Sequence, residues 1–210
     1  MAVRIRIKIC GMTRSQDVET AVHLGVDAVG LVFFAQSSRY VSLEKAKVLA
    51  DTAPAFITVT GLFLNSTRAE VQRILDNVRV DLLQFHGEES PEFCRSFARP
   101  YIKAVPMGGQ ADLADYMRRY GDAAALLLDS HAAGHKGGTG VTFAWSSVPQ
   151  LHGPPMILAG GLRADNVAAA IRIVRPYGVD VSSGVESAPG IKDAAKMGEF
   201  VREVNRVAAA

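Results

Sequence analysis

Cys10 stands in the segment IRIKICGMT, residues 5–13, where isoleucines fall at 5, 7 and 9. Side chains alternate in direction along a strand, so Arg6, Lys8 and Cys10 share the face opposite the isoleucines. A thiol is thereby placed at a strand tip, in line with a lysine and just before Gly11. Nearby positive charge favours the thiolate, so the placement of this cysteine asks for a reason. Other segments repeat the theme. Gln84 and His86 share one side of LLQFHG, and Lys103 falls with Tyr101 and Val105 in YIKAVPM. Asp129 ends the apolar run ALLLD, and Asp180 and Ser182 share a side of VDVSSG. Unpaired buried charge is costly, so these polar strand ends suggest acid–base or binding work. The alternative is that Lys8, Lys103, Asp129 and Asp180 neutralise one another structurally.

Two glycine clusters point to an anion. LAGGLRADN and SSGVE each follow a short apolar run near the C-terminal end of the chain. Glycine lets backbone N–H groups approach a phosphate closely, and helix N-termini add a favourable dipole. Arg39, in FFAQSSRYVS, offers a charged fork to a planar carboxylate. His131 and His135 lie four apart in the long stretch HAAGHKGGTGVTF, with no acidic companion inside it. No metal site is expected there, and that stretch is placed to cover a ligand. Cys94, in PEFCRSF, reads as an inert buried thiol.

These residues need elements to position them. Eight β-rich runs are IRIKIC, AVGLVF, ITVTGLFL, LLQFHG, YIKAVPM, ALLLD, PMILAGG and VDVSSG, most followed by an amphipathic stretch. Ser42, the pair Thr67 and Glu70, and Ser90 before Pro91 are helix starts. The segment IKDAAKMGEFVREVN reads as a last helix with Ile191, Ala195, Phe200 and Val204 near one side. Leu113, Tyr116, Met117 and Tyr120 form a similar stripe. Alternating strands and helices imply a parallel sheet, and eight units point to an α/β single-domain (β/α)8 TIM barrel over residues 1–210. An open doubly wound sheet is the structural alternative. The sixth unit is weak, since TFAWSSVPQLHG leaves room for only a short helix. In such barrels the active site lies at the C-terminal strand ends, often with phosphate held by the seventh and eighth loops.

Composition narrows the classes. The 210 residues carry 23 basic and 21 acidic side chains, a formal charge of +2, which leaves no electrostatic footprint for nucleic acid. Two cysteines make neither a disulfide framework nor a cysteine zinc site. No apolar run is long enough to span a membrane, and the start MAVRIRIKIC lacks the apolar core of a signal peptide. The expected setting is cytoplasmic.

KICGMTRSQD, GLVFFAQSSRYVS, LLQFHGEES, LLLDS, GGTGVTFAW, ILAGGL and GVDVSSGVE resemble, in order and spacing, the phosphoribosylanthranilate isomerase family of tryptophan synthesis. The resemblance covers almost the whole chain. It implies a (β/α)8 barrel that needs no cofactor or metal and acts on a small-molecule phosphosugar, as a monomer or homodimer. It implies Cys10 as general base, Asp129 as general acid and Arg39 on the anthranilate carboxylate. Gly160, Gly161, Ser182, Ser183 and Gly184 would hold the phosphate, with Asp180 and His86 lining the pocket. Ser38 replaces a proline common in the family, and Ala144 an aspartate.

The implied reaction is an Amadori rearrangement, which needs an acid at the furanose oxygen and a base at the neighbouring carbon. On this reading Asp129 must be kept protonated, by burial or a nearby carboxylate, and Lys8 helps expose the Cys10 thiolate. Another phosphosugar isomerase typically uses two aspartates, and indole-glycerol-phosphate synthase uses lysines and a glutamate. KICG argues against the first. A barrel that binds phosphate ligands without catalysis is the alternative from another class.

Overall fold

The computed structural model describes residues 4–109, 111–131, 142–149 and 152–208. Eight strands, β1 (Arg6–Cys10), β2 (Ala28–Val32), β3 (Thr58–Phe63), β4 (Leu82–Phe85), β5 (Tyr101–Pro106), β6 (Ala125–Asp129), β7 (Met156–Leu158) and β8 (Gly178–Val181), close in chain order into a parallel barrel. The open-sheet alternative is thereby excluded, because β1 pairs with both β2 and β8.

Strand alternation divides the side chains as expected. Ile7 and Ile9 join the core between strands and helices. Leu82, Ile102, Ala104, Ala125, Leu127, Ile157 and Ala159 pack together as a separate cluster inside the barrel. Lys8 stands beside Asp180 in the β1–β8 register, and both are buried on this inner side.

The helices around the barrel are α1 (Ser15–His23), α2 (Leu43–Thr52), α3 (Arg68–Leu75), α4 (Pro91–Arg95), α5 (Leu113–Arg119), α6 (Val167–Val174) and α7 (Ala194–Ala208). Ser42 caps α2, Thr67 and Glu70 form a reciprocal capping box on α3, and Ser90 caps α4 with Pro91 at its first position. These side chains satisfy N–H groups that the first helical turn leaves free. In the sixth unit the described residues hold only a 3-10 turn, Trp145–Ser147.

Two expectations change. The segment before the last helix is an antiparallel hairpin, β9 (Glu186–Ala188) and β10 (Ile191–Lys192). Gly190, at φ +80°, makes its turn, and the Asp193 carboxylate accepts from the Lys196 amide at the start of α7. Ile191 and Ala195 are exposed, and the buried stripe of α7 is Met197, Phe200, Val201 and Val204.

Lys103 also leaves the list of candidate pocket residues. With Tyr101 and Val105 it points away from the axis, into the layer beneath the helices. There, fully buried, its ammonium is 2.9 Å from Glu89 Oε2 and donates to the Gly87 carbonyl. Glu89 in turn accepts from the amides of Asn65 (2.7 Å) and Gly87 (2.9 Å). This buried pair pins the loop after β4, which is structural work.

Candidate active site

A cavity of about 360 Å³ opens at the C-terminal ends of the strands. Cys10, Arg39, His86, Asp129, Gly160, Gly161, Asp180, Ser182 and Ser183 all line it; Gly184, next in the chain after Ser183, does not. Phe34, Leu62 and Leu64 supply an apolar wall on the side of Arg39.

Cys10 ends β1 facing the axis, and the neighbouring strand accommodates it. A Cβ on Gly30 would come within 2.7 Å of the Cys10 sulfur, so the glycine in AVGLVF is what gives the thiol room. Gly11 does the same for Arg39, whose Cδ would lie 2.5 Å from an added Cβ. Lys8 sits one inward position below Cys10, 2.8 Å from Asp180 Oδ2, both groups buried. Burial pushes the Asp180 carboxyl up, opposed by Lys8; burial lowers Lys8, but Asp180 and Cys10 together outweigh it and raise the ammonium. Burial likewise pushes the Cys10 thiol up, with Lys8 and then Lys192 pulling the other way. Lys8 opposes this rise without reversing it, so the neutral thiol is favoured at rest.

Asp129 ends β6 across the mouth. His86 Nε2 lies 3.1 Å from its Oδ2, and His131 Nδ1 is 3.6 Å from the same oxygen. The two rings face each other with centroids 4.7 Å apart. Burial raises the Asp129 carboxyl, but His131 and His86 outweigh it and hold the group well below the usual carboxylate range. Asp129 thus rests ionised, the reverse of the protonated resting acid expected from burial. His131 has an acidic companion after all, two residues upstream and outside the stretch where one was sought. His135 and most of that stretch lie outside the described residues.

Arg39 is held edge-on. Its Nε and Nη2 each donate to Glu186 at 2.8 Å, a fork on a fork, which leaves Nη1 outside that pairing. Lys192 Nζ donates to Glu186 Oε1 at 2.8 Å and to the Ser182 carbonyl at 3.2 Å. Ser182 Oγ donates to the Cys10 carbonyl at 3.0 Å. Burial raises the Glu186 carboxyl, but Arg39 and then Lys192 bring it below its ordinary value; burial lowers Lys192. Two cations on one buried carboxylate leave a net positive charge at this rim. Glu186 and Lys192 come from β9 and β10; Lys192 falls inside the segment read as the last helix, which hid its role.

The loops after β7 and β8 meet backbone to backbone. A Cβ on Gly184 would lie 1.9 Å from the Leu162 carbonyl oxygen, so only glycine lets them touch. The amides of Gly161, Leu162, Ser183 and Gly184 donate to no protein acceptor among the described residues. Four free donors on two adjoining loops, beside the cationic rim, form a nest suited to a phosphate.

Known proteins share this arrangement of chain. Residues 7–203 match the N-(5'phosphoribosyl)anthranilate (PRA) isomerase family. The N-(5'-phosphoribosyl)anthranilate isomerase of Nitrosococcus oceani is 51% identical over 98% of this chain and 100% of its own. That of Stutzerimonas stutzeri is 51% identical over 97% and 98%. The crystal structure of the Thermotoga maritima enzyme superposes with a TM-score of 0.88 at 37% identity, covering 96% of this chain and 99% of its own. A phosphoribosyl anthranilate isomerase solved with reduced 1-(o-carboxyphenylamino)-1-deoxyribulose 5-phosphate gives 0.83 at 35% identity, over 96% and 99%. With the match running through every strand of the barrel, the chain belongs to the phosphoribosylanthranilate isomerase family.

Proposed function

We infer that the chain isomerises N-(5'-phosphoribosyl)anthranilate to 1-(2-carboxyphenylamino)-1-deoxyribulose 5-phosphate in tryptophan biosynthesis, as its relatives' names describe. The observation that carries the chemistry is the placing of Cys10 and Asp129 at two non-adjacent strand ends of one cavity. Between them lies the phosphate nest, with Arg39 and an apolar wall beside Cys10's side of the mouth.

The substrate phosphate binds the free amides of the two glycine loops. The anthranilate ring lies on the apolar wall, and its carboxylate meets Arg39 Nη1. Asp129 protonates the furanose oxygen as the C1–O bond breaks, leaving an iminium. It rests ionised, so its proton arrives through the neighbouring imidazoles, His86 at 3.1 Å being the nearer. The iminium acidifies C2, and the Cys10 thiolate removes the C2 proton to give an enolamine. Tautomerisation with a proton at C1 gives the ketone. Lys8 and Lys192 favour the thiolate, and the bound substrate excludes the water that would hydrolyse the iminium.

We further propose that the whole chain acts as one barrel, in the cytoplasm, as a monomer or homodimer. A Thermotoga maritima relative is dimeric and has also been solved as monomers. Among the described residues no helix is long and apolar enough to cross a membrane.

The test is to mix the protein with freshly generated phosphoribosylanthranilate and identify the product by mass spectrometry and NMR. The expected product is the aminodeoxyketose phosphate, formed faster than anthranilate is released by spontaneous hydrolysis. Anthranilate alone, from folded protein, contradicts the assignment.

A further inference from the structure

The wall around Asp129 has a geometry that proton transfer alone does not explain. His86, Asp129 and His131 each offer one ligand atom within 4.8 Å of the other two, and all three residues are buried. The two nitrogens lie 3.1 and 3.6 Å from the shared carboxylate oxygen. Ligands about 2.0–2.1 Å from a tetrahedral zinc sit roughly 3.3–3.4 Å apart along an edge, so these separations bracket the required one. Neither nitrogen has a hydrogen-bond partner among the described residues. At His86 the 3.1 Å approach is an ion-pair distance without hydrogen-bond alignment, so the nitrogen is close to the carboxylate without being bonded to it.

Gln84 supplies a second, independent observation. Its Nε2 is 3.1 Å from His86 Nδ1, while its Oε1 is buried without a partner. With Gln84 Nε2 donating to Nδ1, the ring proton sits on Nε2, toward Asp129, and a metal ion takes the place of that proton. Turning the amide by half a rotation then lets Oε1 accept from Nδ1–H, the acceptor that commonly fixes a metal-binding imidazole from behind. His86 and Asp129 line the cavity, so the remaining coordination position opens onto it.

We propose that His86, Asp129 and His131 form a binding site for one divalent transition-metal ion of the Zn²⁺ type. Because two nitrogens and one carboxylate are borderline ligands, the site selects Zn²⁺, Co²⁺ or Ni²⁺ over Mg²⁺ or Ca²⁺. The consequence rests on the function inferred above: a metal on Asp129 blocks delivery of the proton to the furanose oxygen, so occupancy inhibits turnover reversibly.

The experiment titrates Zn²⁺ by calorimetry into the chelator-treated full chain and into His131→Ala, Asp129→Asn and Cys10→Ser, each checked for folding by circular dichroism. Co²⁺ absorption spectra are recorded in parallel. The wild type and Cys10→Ser are expected to bind one ion per chain, with Co²⁺ spectra free of thiolate charge transfer. His131→Ala and Asp129→Asn are each expected to lose at least roughly tenfold in affinity, the scale set by perturbing such sites. Mg²⁺ at the same concentration is expected to give no heat of binding. Absence of stoichiometric binding, equal binding by folded His131→Ala and Asp129→Asn, or loss of binding in Cys10→Ser overturns the site. Full turnover of phosphoribosylanthranilate with Zn²⁺ bound overturns the inhibition. A chain that binds Zn²⁺ at these residues yet never converts that substrate overturns the inferred function and leaves the metal site standing.

Discussion

The Cys10 thiol works against its surroundings: burial raises it, and Lys8 and Lys192 only partly oppose that. A base must be deprotonated to act, so activity increases with pH as the thiolate forms. The limb of kcat/KM controlled by Cys10 is predicted to have a midpoint above the ordinary cysteine value of about 8.5. A pH–rate profile that is flat from pH 7 to well above that value contradicts the assignment of the base. Arg39 invites a second prediction. Glu186 holds its fork from one side and shields it from Lys192. In Glu186→Gln one charged oxygen is lost and two cations face each other. KM for phosphoribosylanthranilate is expected to rise roughly tenfold, about the worth of one charge-assisted hydrogen bond, with kcat changed only slightly. Competitive inhibition by inorganic phosphate, which does not need Arg39, is expected to stay constant. If kcat falls instead of KM rising, Glu186 serves chemistry and not the carboxylate.

At the scale of elements, every strand but β5 supplies a lining group at or just after its end, and alternation decides which side chains enter the cavity. Lys8 and Cys10 on β1 could be assigned from isoleucine spacing alone, as could Gln84 and His86 around the end of β4. Lys103 could not, because the parity of β5 is ambiguous from YIKAVPM: every residue of that strand is buried. Its pairing with Glu89 inside the outer layer depends on a loop joined to a different strand. Removing one member of a buried pair strands the other charge and typically costs about 3–5 kcal/mol. Lys103→Met is therefore expected to lower unfolding free energy by about 3 kcal/mol, since Glu89 retains two backbone N–H donors. It leaves kcat near normal in the folded enzyme. A measured denaturant midpoint unchanged by the substitution contradicts the structural role; a lost kcat at intact stability returns Lys103 to the active site. The β9–β10 hairpin was hidden for a related reason. Its sequence, ESAPGIKDAAK, is apolar at helical intervals, and only Gly190 and the Asp193 cap mark where the helix begins.

For the molecule as a whole, closure of the sheet is what unites residues far apart in sequence. Asp180 reaches Lys8 across 172 positions, and Glu186 reaches Arg39 across 147. The barrel and its caps were legible because they follow from local period and local hydrogen bonds. The glycine loops were legible because their residue type restricts what they can do. Gly30, Lys192 and the companionship of His131 with Asp129 were not, since each depends on register between neighbouring strands or on a turn folding back. The central claim is that Cys10, from the first strand, is the base of a rearrangement whose acid comes from the sixth. The most direct test is the kcat of Cys10→Ala on phosphoribosylanthranilate, with phosphate inhibition measured alongside to show that the binding site is intact. A fall of about 10²–10⁴, the usual worth of a positioned acid or base, with phosphate affinity preserved, is the predicted result. Turnover within a few-fold of the unsubstituted enzyme would contradict the account.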